Sequence, residues 1–164
     1  MAKFFLGLAI VAFTSFCGYL FAKKYRQRKQ FFSQWKDFNE RFLNEISYYR
    51  RPLIEFVFKY PYKGEFNKLL ERFFQTIDER NLFLGIVYEK NEYAFLSQEE
   101  KGMIEDYFMM LGKGDSASQK AYFSALKEPI GKMQSGAETA YKKYGDLYVK
   151  LGFLCGLLIL ILLL

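Results

Sequence analysis

Residues 4–29 read FFLGLAIVAFTSFCGYLFA and then KKYRQRK, and this junction decides the architecture. Phe4 to Ala22 is an uncharged run of 19 residues. A helix rising about 1.5 Å per residue would carry that run across a hydrocarbon core of about 30 Å. The rival reading is a cleaved export signal. Leu20-Phe21-Ala22 is a poor small-x-small cleavage site, and the positive charges that follow directly resist export. By the positive-inside rule, Lys23, Lys24, Arg26, Arg28 and Lys29 hold the chain beyond them in the cytosol, with the N-terminus outside. The expectation is a transmembrane helix at 1–22 and a basic juxtamembrane segment at 23–29.

The far end mirrors this. Leu151 to Leu164 is apolar throughout but covers only about 21 Å as a helix. Counting from Leu147, with Lys150 snorkelling to the interface, brings it close to a full span. Lys142, Lys143 and Lys150 stand on the inner side, so both ends predict the same topology: a two-pass membrane protein whose central domain, 30–146, is cytosolic, with a second membrane helix at 147–164. Small residues lie where the two membrane helices could approach. Gly152 and Gly156 form a GxxxG step, and Gly18 and Ala22 offer a small-xxx-small step. Lipid supplies no hydrophobic drive between helices, so close backbone packing is what would hold them.

The formal net charge is +6. From Gln30 onward 18 basic residues balance 18 acidic ones, so the whole surplus is Lys3 plus the 23–29 cluster. A nucleic-acid surface would spread its charge over a domain. Here the charge marks membrane topology, and no nucleic-acid partner is expected. The 164 residues allow one domain, and 19 Phe with 13 Tyr give it ample bulk to bury.

The middle of the chain has helical periodicity. Phe31, Trp35, Phe38, Phe42, Ile46 and Tyr49 form an apolar stripe that Pro52 should close. Phe66, Leu69, Leu70, Phe73, Phe74 and Ile77 predict an amphipathic helix. Leu82 to Leu96 is less regular, a buried helix or, at Ile86-Val87-Tyr88, a short strand. Ser97 with Glu100 makes a capping box for a helix that Gly112 would stop. Asp115 or Ser116 then caps the last helix, with Gln119 at a box position. Its seam runs Phe123, Leu126, Ile130, Met133, Ala137, Ala140, Tyr144, Leu147, Leu151, a heptad that predicts packing against a partner helix and continuity into the membrane. Pro129 should kink it. The fold class is all-α: a helical bundle of about five or six helices flanked by N- and C-terminal transmembrane helices.

Catalytic chemistry finds little to use. The chain has no histidine, which removes imidazole bases and the commonest metal ligand. Cys17 and Cys155 both sit in apolar segments, without CxxC or zinc spacing. Gly112-Lys113-Gly114-Asp115 follows a helix and lacks phosphate-loop spacing, so it reads as a helix–helix turn. Acidic pairs such as Glu99-Glu100 and Glu105-Asp106 read as helix-dipole complements and solvated surface rather than metal ligands. No catalytic residue, cofactor, metal or small-molecule substrate is expected; the chain reads as an assembly protein, not an enzyme.

Three motifs carry a resemblance. Glu45-Ile46-Ser47-Tyr48 with Pro52-Leu53 is similar to the first-helix motif of the stage III sporulation protein AB family. Leu111-Gly112 with Asp115 and Gln119 resembles that family's turn, with Gly114 where serine is usual. Leu151-Gly152-x-Leu154-x-Gly156-Leu157-Leu158 is similar to its tail. The aromatic stretch from Val57 to Phe95 and Pro129 depart from the pattern. The resemblance implies a cytosolic helical domain like that of the type II secretion platform protein, in the mother-cell membrane around the forespore. It also implies as partners a cytosolic secretion-type ATPase and other membrane components of a sporulation channel. In such a family Glu45, Pro52, Leu111, Gly112, Asp115 and Gln119 would form the interaction motif. The competing readings are a secretion or pilus platform protein outside sporulation, and a pore subunit; neither apolar run, Phe4 to Ala22 or Leu151 to Leu164, has a charged residue to line a water path.

Overall fold

The structure, a computed structural model, describes residues 2–49, 53–76, 83, 85–89 and 91–163; the side chains of 2–6, 48, 49, 53, 54, 58, 89, 91 and 163 are not described. The chain is all-α. Eight helices follow in order among the described residues: α1 (Ala2–Asn44), α2 (Leu53–Lys59), α3 (Gly64–Gln75), α4 (Ile86–Glu89), α5 (Gln98–Met110), α6 (Ser116–Ala125), α7 (Lys127–Ala140) and α8 (Asp146–Leu163). Two π-helical turns, Glu45–Tyr49 and Tyr141–Gly145, extend α1 and join α7 to α8. Two compact units result: Gln30–Gln134, and Met1–Lys29 together with Ser135–Leu164.

The 30–134 unit is built on aromatic rings. Phe31, Trp35, Phe38 and Phe42 lie three or four residues apart on α1, so one face buries all four. Phe38 is the hub: its ring lies 5.5 Å from Phe56 of α2, 5.7 Å from Phe66 of α3 and 6.2 Å from Tyr107 of α5. Most of these pairs meet edge to face, the arrangement the ring quadrupole favours. A second cluster joins Phe73, Phe83 and Phe108 at 5.2–5.4 Å. The aromatic stretch from Val57 to Phe95 supplies much of the core: Tyr62, Phe66, Phe73, Phe83, Tyr93 and Phe95 are buried, while Tyr88 is exposed.

Local signals act where physical chemistry places them. The Ser97 hydroxyl accepts from the Glu100 amide at 3.2 Å, and the Glu100 carboxylate accepts from the Ser97 amide at 2.8 Å, completing the capping box of α5. Phe66, Leu69, Leu70 and Phe73 form the buried face of α3, while Ile77 lies outside the described residues. Ile86 to Tyr88 is helical, and the chain between α4 and α5 adds a 3₁₀ turn, Asn91–Tyr93. Glu105 anchors this region by accepting from the Gly85 amide at 2.6 Å, and Arg72 pairs with Glu92 at 2.8 Å. The proline effect falls one turn early. α6 stops at Ala125, Leu126 caps it, and α7 restarts at Lys127. Pro129 thus occupies a first turn, where a missing N–H costs little. Pro52, the expected end of the first stripe, lies outside the described residues.

Among the described residues one helical run, Ser116–Leu162, is long and apolar enough to cross a bilayer. The N-terminal apolar run begins at Phe4, among the side chains not described.

Candidate functional site

In the unit formed by 1–29 and 135–164, the early part of α1 and α8 pack antiparallel along their length. Gly7 faces Leu160, Val11 and Thr14 face Gly156, Gly18 faces Tyr148 and Gly152, and Lys29 reaches Tyr141. The glycines make this possible. A Cβ on Gly18 would stand 2.5 Å from the Tyr148 carbonyl oxygen, and one on Gly156 would stand 2.8 Å from the Val11 Cα. Backbone cannot yield as a side-chain tip does, so only glycine fits. Ala22, the other small residue of the α1 step, is buried.

This packing corrects the heptad. Of the predicted seam, Tyr144 meets Tyr25 of α1, whereas Leu147 and Leu151 turn away from it, 43% and 45% exposed. The π turn Tyr141–Gly145 is the reason. It adds one residue to a turn, and each added residue rotates the downstream helix by about 100°. Beyond the turn the residues that face α1 are Tyr148, Gly152 and Gly156, so glycines meet α1 and leucines turn outward. A bulky seam is exchanged for a close one.

Above the glycines, toward the basic segment, lies a tyrosine cluster. Tyr25 stacks on Tyr148 at 5.8 Å and tilts against Tyr144 at 5.5 Å, and Phe21 lies 5.8 Å from Tyr148. The basic residues surround it. Lys23, Lys24, Arg26 and Lys150 are exposed, while Arg28 and Lys29 are half-buried. Lys29 Nζ sits 4.8 Å from the Tyr141 ring centre, and Lys142 pairs with Glu138 at 3.1 Å.

The turn between α5 and α6 belongs to the other unit. Leu111 is buried and ends α5; Gly112 and Gly114 take φ of 74° and 78°, left-handed values that suit glycine. Asp115 caps α6, accepting from the Ser118 amide at 2.7 Å, and that bond holds its carboxyl below the usual carboxylate range. Gln119 does not close a reciprocal box; its amide donates to the Gly114 carbonyl at 3.4 Å. Glu45 is buried at the start of the π turn that packs against α6. Two of the motifs singled out from sequence, around Glu45 and around Asp115, therefore sit in neighbouring elements.

The sequence reading passed over one buried polar node. Asn39 is 1% exposed; its amide donates to the Phe123 carbonyl at 3.1 Å, and its oxygen accepts from the Tyr107 hydroxyl at 3.2 Å. One side chain thus links α1, α5 and α6. Its signal was an amide standing among Trp35, Phe38 and Phe42, at a spacing that puts it on the core face. Among the described residues no three Cys, Asp or Glu side chains gather as a metal site would.

The family model for stage III sporulation protein AB matches residues 3–164. The chain belongs to that family. No curated protein and no solved structure gives a significant match. The glycine-packed pair and the 111–119 turn both lie within the span that the stage III sporulation protein AB family covers.

Proposed function

We propose that this chain is a non-enzymatic, two-pass membrane component that assembles a secretion-like complex during stage III of sporulation. The observation that carries the membrane part is the helix pair. Its inner seam is glycine against backbone, while Phe13, Phe16, Phe153, Leu154, Leu158 and Ile161 point outward and exposed. So continuous an apolar exterior needs an apolar solvent, and small-residue seams are how helices associate in lipid. Lys23, Lys24 and Lys150, at the same end of the pair, favour a cytosolic position for the 30–134 body.

In this reading the protein transmits rather than catalyses. A cytosolic ATPase of secretion type, or another channel component, would engage the helical body near the 111–119 turn, and α7 and α8 would carry the event toward the bilayer of the mother-cell membrane around the forespore. Deletion tests the sporulation role: loss of spores with normal vegetative growth supports it. A growth or secretion defect without spore loss would favour the platform reading outside sporulation. Co-purification from sporulating cells tests the partners, with a RecA-like ATPase as the expected companion. Gly112→Val, which forces a β-branched residue into a left-handed turn, should abolish complex formation while the protein still inserts in membrane. Normal assembly of that variant would refute the role given to the turn.

A further inference from the structure

We infer that the basic residues around the α1–α8 pair form a collar that binds the headgroups of anionic phospholipids; this rests on the two-pass reading proposed for the chain. The packing register sets their depth. Gly18 meets Tyr148 and Gly152, and Phe21 lies over Tyr148, so Lys150 is level with Gly18 to Phe21. Lys23 and Lys24 stand about one turn further along, a distance that a snorkelling lysine stem covers. The three exposed ammonium groups, drawn from two helices, therefore meet in one layer.

That layer has the chemistry of a headgroup zone. Tyr25, Tyr144 and Tyr148 cluster in it, amphipathic rings of the kind that sit at membrane interfaces. Leu20, Phe21, Leu147 and Leu151 are exposed beside and beneath it, where acyl chains would lie. The segments 23–29 and 142–150 hold eight basic residues and one acidic residue, Asp146, and Lys142 pairs with Glu138 beside them. A zwitterionic lipid brings its own cation to such a collar and an anionic one does not, so selection between them follows from charge. Lys23 and Lys150 both lie two positions from residues that face the partner helix, which puts them on the backs of the pair. Several headgroups are bound around a collar rather than one in a pocket.

The experiment purifies the full chain from membranes in mild detergent, presents equimolar phosphatidylglycerol and phosphatidylcholine, and counts retained lipids by native mass spectrometry. Phosphatidylglycerol should be retained in preference. Lys23→Gln, Lys24→Gln and Lys150→Gln should each lower that preference on the order of five-fold, Lys150→Arg should keep it, and Lys132→Gln, distant in sequence from the collar, should leave it unchanged. Equal retention of both lipids, or undiminished preference in the triple glutamine variant, overturns the inference. Alkaline carbonate extraction of the same membranes separates the two levels. Protein that resists extraction but shows no preference removes the collar alone, whereas protein that washes off removes the membrane reading and the collar with it.

Discussion

Gly18 and Gly152 meet backbone to backbone: a Cβ on Gly152 would stand 3.2 Å from the Gly18 Cα and 2.6 Å from the Thr14 carbonyl oxygen. No rotamer escapes such a contact, because the obstacle is main chain on a neighbouring helix. The distance between the two helices is set here by the absence of side chains.

Gly152→Val should therefore push α8 off α1 and cost about 1–3 kcal/mol. Gly136, in α7, has nothing within 4 Å of its would-be Cβ. Gly136→Ala should instead stabilise by about 0.5–1 kcal/mol, through helix propensity alone. Thermal unfolding of the full chain in detergent measures both. A Gly152→Val protein as stable as the parent would contradict the packing.

The π turn predicts an unusual tolerance to deletion. Removing Lys143 should convert Tyr141–Gly145 to ordinary α-helix and leave Gly152 and Gly156 facing α1, because that turn already holds one residue more than an α turn needs. Removing Val149, beyond the turn, should rotate both glycines away by about 100°. The first deletion is expected to retain most of the thermal stability and the second to lose the packing of the pair. Equal damage from both would mean the turn does not set the register.

Asn39 should be costly to replace. Asn39→Ala leaves the Phe123 carbonyl and the Tyr107 hydroxyl without this partner in the core, at about 1–3 kcal/mol for each buried group left unpaired. Tyr107→Phe removes one of the two bonds and should cost less. In a double-mutant cycle followed by denaturant unfolding, the two substitutions should couple, since they share a hydrogen bond. Simple additivity would place the stabilisation elsewhere.

Alkaline pH should loosen the aromatic body in a defined window. Burial pushes the phenols of Tyr62 and Tyr93 up to about 12 from an ordinary value of 10, because the phenolate is poorly solvated there. Between those values the folded chain keeps protons that the unfolded chain has lost. Stability from these groups is thus complete below pH 10 and falls as pH rises toward 12. Tyr62→Phe and Tyr93→Phe should each flatten the decline, read by unfolding with pH alongside phenolate absorbance. A stability that stays level from pH 10 to 12 would contradict their burial.

Local rules settled a large part of this protein without tertiary help. Ser97 with Glu100, Asp115, and the apolar spacing of α1 and α3 act within one or two turns, so their structural outcome could be read directly from the chain. The basic cluster at 23–29 is equally local. The glycines at 18, 152 and 156 were legible as a packing motif for the same reason, since the residue type alone permits close approach. Which face of α8 they occupy was not legible. An uninterrupted α-helix would have presented Leu147 and Leu151, and only the π turn presents Gly152 instead; such a turn is a compromise between packing on both of its sides, not a property of its own five residues. The aromatic middle and Asn39 obey the same logic. Whether a phenylalanine or an amide belongs to the core depends on which distant ring or carbonyl stands opposite, and that is decided by burial between segments far apart in the chain.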